Sequence, residues 1–287
     1  DALRSLIFIL LAGGAIYLMM LKKVSKEIGI GAIALLILVD LWGINKIYLN
    51  ESKYVESEEQ QMVDAQLFPL SPASKEILKD KSHYRVYDLN NPFNNANTSF
   101  YHQSVGGYHG AKMRRYQDLI TMYVSKNDQK VLEMLNVKYV IQSPQKAIPL
   151  PNIGNAWFIK DVKTVEGADN EILFLGKEEF NPKNNAVVDA EKFKPSKTSY
   201  GQNGTIKLVE YESNRLKYTS ENTEDGFAVF SEIYYPTGWK VTIDGKETNH
   251  IRVNYVLRGM EIPKGKHTIE FSFEPNSYYV GETISLI

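Results

Sequence analysis

Two long apolar runs at the start of the chain, separated by a short basic turn, constrain its fold more than any other feature. Leu6–Leu21 carries no charged residue, and Ile28–Leu49 is a second run of similar length. A bilayer crossing needs about 20 mostly apolar residues, and soluble helices are usually amphipathic rather than apolar all round. The sequence therefore predicts a transmembrane helical hairpin over residues 1–50, with a buried hairpin in a soluble protein as the alternative.

The turn between the two runs carries three lysines, Lys22, Lys23 and Lys26. Cytoplasmic loops of membrane proteins are enriched in Lys and Arg, so this turn is expected on the cytoplasmic side. Two spans joined by an inner turn place the rest of the chain outside. We therefore expect residues ~51–280 to be extracytoplasmic, and the lipid bilayer to be one partner.

Asp40 is an acidic residue within the second apolar run. An acid at membrane depth is a candidate functional residue by default. The alternative is that Asp40 sits near the outer headgroups, or pairs with a basic group on a helix outside this chain.

Both ends of the chain are apolar. It begins at Asp1, directly before a hydrophobic run, and ends in Ile284, Leu286 and Ile287. We expect a further spanning helix beyond each end, with residues 281–287 as the start of the second.

The rest of the chain is polar and excludes several classes of site. A net charge of −1 gives no field that would recruit nucleic acid. The chain has no cysteine, which removes disulfides, thiolate nucleophiles and Cys-ligated metals. His102 and His109 have no third ligand at metal spacing, so we expect no metal, and no cofactor.

The order of patterns predicts an α+β fold in several parts. Residues 51–74 form an acidic connector, and Asn90–Thr98 is an Asn/Pro loop. Helical spacing over Ala111–Tyr123 and short β-rich runs, Ile172–Phe174 among them, predict a small α+β domain over 75–185. Alternating strands with turn signals then predict a C-terminal antiparallel β-sandwich over 186–280.

The best candidate for ligand chemistry is a Gly-rich segment, Gly106–Gly110, that leads into a basic helix. Backbone N–H groups at a helix N-terminus suit a phosphate, Arg grips it bidentately, and Tyr rings stack on sugars. The candidate phosphate- and sugar-binding residues are Tyr108, His109, Lys112, Arg114, Arg115 and Tyr116. The spacing is not that of a P-loop. The alternative is a folded turn followed by a solvated basic helix face.

Two further side chains are weaker candidates. Trp239 could form a sugar platform on the sandwich, or it could be a core aromatic. Asp118 could be a general base, although the sequence shows no partner for it.

Six segments together carry a family likeness. They are Ser104–Ile120, Leu135–Ile141, Gly154–Phe158, Phe230–Lys246, Val253–Arg258 and Gly265–Phe271. In these segments the chain resembles the YfhO family of bacterial membrane proteins, and the resemblance covers nearly all of the chain, in order.

This resemblance implies a multi-pass protein of the bacterial cytoplasmic membrane, similar to the GT-C glycosyltransferases. Those enzymes move a sugar from a polyprenyl-phosphate carrier onto an extracytoplasmic acceptor, here an envelope polymer such as a teichoic acid. Their catalytic acids lie in outer loops near the N-terminus, a region that this chain lacks, so the catalytic residues stay unknown and the piece alone is expected to be inactive.

Three hypotheses follow. The first is the outer part of a glycosyltransferase-like protein that positions a glycan acceptor or a polyprenyl-phosphate-linked sugar. The second is a non-catalytic carbohydrate-binding module on a membrane anchor, and the third is a structural envelope module that contacts a partner protein.

Overall fold

A computed structural model describes residues 2–51, 54, 63–64 and 66–285. The chain forms two compact units, Asp1–Leu67 and Phe68–Ile287. Residues 52–53, 55–62 and 65 of the predicted acidic connector lie outside the described residues, as do residues 286–287. The predicted fold class is confirmed: two apolar helices precede a mixed α+β region with several antiparallel sheets.

The first unit is a helical hairpin. Helix α1 covers Ala2–Met20 and α2 covers Lys26–Tyr48, and the side chain of Ser25 caps α2 by accepting the Ile28 N–H at 3.4 Å. The apolar spans in these helices are 18 and 23 residues long, with 0% and 6% of their residues buried. By their length and apolar composition, the two helices are candidate membrane spans.

The second unit begins with a small parallel–antiparallel sheet. Ser71 caps α3 (Pro72–Ile77) by accepting the Ser74 N–H at 3.1 Å. Strand β1 (Arg85–Asp88) pairs in parallel with β2 (Val137–Ser143), which pairs antiparallel with β3 (Lys146–Pro149). Parallel strands need a crossover. Here it contains α4 (Asn97–Tyr101), α5 (Arg114–Met122), a 3₁₀ turn (Val124–Lys126) and α6 (Gln129–Met134).

Helix α5 begins later than predicted, at Arg114 instead of Ala111. His109 accepts the Ala111 N–H on Nδ1 at 3.0 Å, so a local side-chain bond holds this amide in a turn. Such bonds compete with helix formation. The Gly-rich segment is therefore separated from the helix N-terminus.

A second parallel pair follows, β5 (Asp161–Val165) with β6 (Asn185–Asp189), joined by α7 (Gly167–Phe174). The prediction of a strand at Ile172–Phe174 is wrong because this run is helical. Ala168, Ile172 and Leu175 all pack against the core, and their spacing of four and three residues is that of a helix face.

A β-sandwich of two antiparallel sheets completes the unit. Its strands are β4 (Ala156–Ile159), β7 (Gly204–Tyr211), β8 (Arg215–Asn222), β9 (Gly226–Ile233), β10 (Trp239–Ile243), β11 (Lys246–Thr248), β12 (Ile251–Val253), β13 (Leu257–Ile262) and β14 (Gly265–Phe273). The five-stranded sheet has the order β11-β10-β14-β8-β7, and the four-stranded sheet has the order β12-β13-β9-β4. Tyr218, Phe230 and Phe271 pack edge to face between the sheets.

Two strands from opposite sides of the predicted domain boundary at 185/186 pair with each other. Strand β4 comes from the predicted α+β domain, yet it forms the edge of the four-stranded sheet by pairing with β9. A core cluster also joins both parts, with Leu119, Phe180, Val187 and Phe227 among its buried members. The boundary itself stays a prediction.

Helix α8 covers Asn276–Ser285 and exposes Tyr278, Tyr279, Val280 and Ile284. Helical structure therefore begins before the predicted start of a further span at residue 281. That this helix enters a membrane stays a prediction.

Candidate functional site

The Gly-rich segment is held against the Asn/Pro loop. A Cβ on Gly106 would lie 2.1 Å from the Pro92 carbonyl oxygen, and Gly107 donates its N–H to that same oxygen at 2.6 Å. Gly107 has a φ of +104°, which favours glycine. Gly106 is thus required by a close backbone contact and Gly107 by its backbone conformation, and the Gly107 amide is not free to bind a phosphate.

Tyr108 and His109 follow on the surface. The Tyr108 side chain is 76% exposed, more than most large apolar side chains of this unit. His109 is exposed, with its Nδ1 occupied by the Ala111 N–H. Because Nδ1 accepts a hydrogen bond, the neutral ring carries its proton on Nε2 and offers a donor to solvent.

Lys112 and Arg114 add two positive charges to this surface. The Lys112 Nζ lies 5.7 Å from the centroid of the Phe93 ring and 3.4 Å from the Gly107 oxygen, which restrains it loosely. Arg114, in the first turn of α5, is exposed and has no ion-pair or hydrogen-bond partner in the part of the chain described. Its guanidinium is therefore available to an anion.

Arg115 points the other way, towards a buried carboxylate. Its Nη1 lies 3.1 Å from Oε2 of Glu171, a residue of α7 that is 0% exposed, and its guanidinium lies 4.3 Å from the Tyr255 ring centroid. Arg252 reaches the same Oε2 at 3.4 Å, and Tyr255 donates its N–H to Oε1 at 3.2 Å. Burial raises the pKa of Glu171, and the two arginines oppose that shift.

Tyr116 also faces inwards. Its hydroxyl donates to the Val105 carbonyl oxygen at 2.7 Å, and burial raises its pKa to about 12. Along this stretch of chain, Tyr108, His109 and Arg114 are thus exposed and Lys112 is half-buried. The structure directs Arg115 and Tyr116, which the sequence grouped with them, into contacts that hold the fold together.

Trp239 is partly buried in the sandwich core. The buried guanidinium of Arg258 lies 4.0 Å from its ring centroid, and the Phe273 ring 5.2 Å. These contacts occupy ring surface that a sugar platform would use.

A buried polar network around Glu232 was not predicted. Glu232 accepts from Asn155 Nδ2 at 2.8 Å and lies 3.4 Å from Arg85, while Asn155 accepts from the Tyr218 hydroxyl at 2.6 Å. Burial raises the pKa of Glu232, but Arg85, His83 and Asn155 outweigh it, so the pKa lies below its ordinary value. In the sequence, this network is indicated by two polar residues, Ser231 and Glu232, within the otherwise apolar run of β9.

Asp40 pairs with a basic residue inside the hairpin itself. The Arg4 Nη2 atom of α1 lies 2.7 Å from Asp40 Oδ1 of α2. The basic partner of Asp40 is thus Arg4 of the same hairpin rather than a group on a helix outside this chain.

Asp118, the weaker candidate for a general base, accepts the Tyr255 hydroxyl at 3.0 Å. Within the described residues, no three His, Asp or Glu side chains lie together as a metal site would require.

Comparison with known proteins identifies the family. The model of the family described as "Bacterial membrane protein YfhO" matches residues 117–285, more than half of the chain. A Bacillus subtilis (strain 168) protein named "Uncharacterized protein YfhO" is 27% identical over 105 residues, which are 36% of this chain and 12% of that protein. The match thus spans about an eighth of the relative's length. No solved structure matches the chain.

The matched residues cover the sandwich and the helices before it, and they match a family of membrane proteins. The two apolar helices of the hairpin are consistent with such a family. The chain belongs to the YfhO family of bacterial membrane proteins.

Proposed function

We propose that the Phe68–Ile287 unit is the extracytoplasmic part of a multi-pass, glycosyltransferase-like protein that acts on a cell-envelope glycan. In this proposal the exposed surface of Tyr108, His109, Lys112 and Arg114, called the basic–aromatic surface below, contacts a polyprenyl-phosphate-linked sugar or the acceptor glycan. In this proposal the unit consists of an α+β domain over 75–185 and a sandwich domain over 186–280, as the sequence predicts.

One observation carries the choice of ligand. Arg114 is exposed and unpaired among the described residues, close in sequence to a Tyr ring that is 76% exposed. A free guanidinium binds phosphate bidentately, and an exposed aromatic ring stacks on the apolar face of a sugar. A sugar phosphate on a lipid carrier offers both chemistries in one ligand.

Support for the placement comes from the charge of the hairpin turn. Lys22, Lys23 and Lys26 lie between two helices that are long and apolar enough to span a bilayer. The positive-inside tendency puts this turn in the cytoplasm and the following unit outside.

The placement is tested with single cysteines, because the natural chain has none. We expect a cysteine at the exposed Lys163 to react with a membrane-impermeant maleimide in intact cells, and Lys23→Cys to react only after permeabilisation. Labelling with the opposite pattern would overturn the extracytoplasmic placement.

The ligand is tested by removing the two charges of the basic–aromatic surface. In cells that produce the full-length protein, we expect Lys112→Ala with Arg114→Ala to lower the sugar content of the envelope polymer. A tenfold weaker affinity for the ligand corresponds to roughly 1.4 kcal/mol of lost binding. The readout is chemical analysis of the purified polymer, at matched protein levels in the membrane.

Lys163→Ala is the control, because it removes one exposed charge from β5, outside the basic–aromatic surface. We expect it to leave the sugar content unchanged. Normal glycosylation in the double variant would contradict the proposal.

The alternative is a non-catalytic carbohydrate-binding or structural envelope module. It predicts glycan binding by the purified protein that Trp239→Ala abolishes, without any effect of Arg114. The contacts of Trp239 with Arg258 and Phe273 leave less of the ring free, which favours the first proposal.

A further inference from the structure

A recessed cavity of about 410 Å³ lies at the carboxyl ends of the parallel strands β1 and β2. Asp88 is the last residue of β1, it pairs with Ile141 of β2, and both line the cavity. In open sheets with parallel strands, ligands bind beyond the carboxyl ends of the strands. The volume falls within the roughly 300–1,000 Å³ of small-molecule sites.

The walls of this cavity are fixed by hydrogen bonds and ring contacts. Ala73 donates its N–H to the Pro144 oxygen at 3.0 Å, which ties the start of α3 to the turn after β2. The Tyr101 hydroxyl donates to the Phe68 oxygen, and the rings of Phe68 and Phe100 stack with centroids 4.7 Å apart. The cavity therefore exists before a ligand arrives.

Asp88 presents a rigid carboxylate to the cavity. Its Oδ1 accepts the Asn90 N–H at 2.8 Å and the Asn90 Nδ2 at 3.1 Å, and its Oδ2 accepts the Thr98 hydroxyl at 2.7 Å. A carboxylate has about four acceptor positions, so at least one stays open for a hydroxyl donor.

Asn97 supplies an unused amide in the same wall. Its Oδ1 is buried and has no hydrogen-bond partner among the described residues, and its backbone N–H is taken by Asn95 Oδ1 at 3.3 Å. A buried acceptor left unpaired is unfavourable, so this position favours a ligand that brings a donor.

The rest of the lining selects against anions. Among the described residues that line the cavity, none is Lys, Arg or His, whereas Pro69, Leu70, Pro72, Ile141 and Pro144 form apolar surface. A carboxylate disfavours a nearby negative charge. Amide and carboxylate groups opposite apolar walls suit a ligand with hydroxyl groups on its edge and C–H groups on its faces.

We propose that this cavity binds one neutral sugar ring, whose hydroxyls donate to Asp88 and Asn97 while the proline-rich wall covers its apolar face. The site is separate from the basic–aromatic surface and does not depend on it. It gives the unit a place for an uncharged glycan residue, distinct from any phosphate-bearing ligand.

The test uses the full chain, purified in detergent, with the methyl glycosides of glucose, galactose and N-acetylglucosamine as probes. We expect saturation-transfer NMR to detect binding of at least one of them at millimolar concentration. Asn97→Ala should weaken this binding about tenfold, since it removes the amide oxygen that accepts a sugar hydroxyl. Asn97→Leu keeps the approximate shape of the side chain, has no acceptor oxygen and should weaken binding similarly, which covers the case of an Ala variant that fails to fold.

Asn94→Ala is the matched control, because Asn94 is exposed in the same loop and is not among the lining residues. It should bind as the natural protein does, and so should Arg114→Ala, which separates this site from the proposed function. The proposal is overturned if no methyl glycoside binds, if the folded Asn97 variants bind normally, or if a sugar phosphate binds more tightly than its neutral counterpart.

Discussion

Two adjacent arginines show how far the environment decides a residue's role. Arg114 and Arg115 carry the same charge in the first turn of α5, yet Arg114 is exposed and unpaired among the described residues, and Arg115 contacts the fully buried Glu171. The difference arises because successive helical positions are about 100° apart, so one points outwards and the next inwards.

We expect Arg115→Ala to lower the free energy of unfolding by about 3 kcal/mol, since the buried Glu171 then loses one of the two arginines that pair with it. Arg114→Ala should change it by about 0.5 kcal/mol or less, because that side chain touches no partner among the described residues. Urea unfolding of both variants, followed by tryptophan fluorescence, measures the two values. Equal losses would contradict the assignment of Arg115 to the interior.

The chain's residue types alone could not separate these two arginines. Glu171 and Arg252 lie far from Arg115 along the chain, and only the folded arrangement brings the three charges together. The same holds for Glu232, whose partners Arg85 and Asn155 come from other elements. Non-local polar networks leave little pattern in a sequence beyond a charged residue in an apolar run.

At the scale of elements, local patterns predicted the sandwich strands well. Val241 and Ile243 of β10, and Ile269 and Phe271 of β14, all face the sandwich core, as alternation predicts. Asp244 and Gly245 form a tight turn after β10, with φ values of 50° and 78°, and an Asp-Gly pair is a common turn signal between strands. The strand prediction failed at α7, where three apolar residues in succession do not distinguish a strand from a helix.

The Gly-rich segment allows a prediction at this scale. Gly106→Ala should lower the free energy of unfolding by about 2 kcal/mol, because the new Cβ would meet the Pro92 oxygen. Gly110→Ala is its control, with nothing within 4 Å of the added Cβ, and should be neutral within about 0.5 kcal/mol. Thermal unfolding of the two variants gives the comparison, and a destabilised Gly110→Ala beside a normal Gly106→Ala would refute the packing argument.

At the scale of the second unit, strand β4 links the two predicted domains. Its residues Trp157 and Phe158 are buried, one in each of the two larger core clusters, although both come before the predicted boundary at 185/186. The sequence could not reveal this, because strand pairing between positions about 70 residues apart leaves no local signal.

A piece that begins at residue 186 should therefore fail to fold cooperatively. It would leave one edge of β9 unpaired and remove Phe158 from the sandwich core, which exposes apolar surface and favours aggregation. Residues 68–285, which keep β4, are the control and should show a cooperative thermal transition. A cooperative transition in the shorter piece would show that the sandwich folds without β4.

The Arg4–Asp40 pair has a consequence for how the protein is made. Either helix alone would carry an unneutralised charge into the insertion machinery, at a cost of up to about 3 kcal/mol for a residue at mid-membrane depth. Together the two helices offset each other's charge across a gap of 2.7 Å. In the proposed membrane placement, the pair favours insertion of the two helices together, because neither charge then enters the bilayer without its partner.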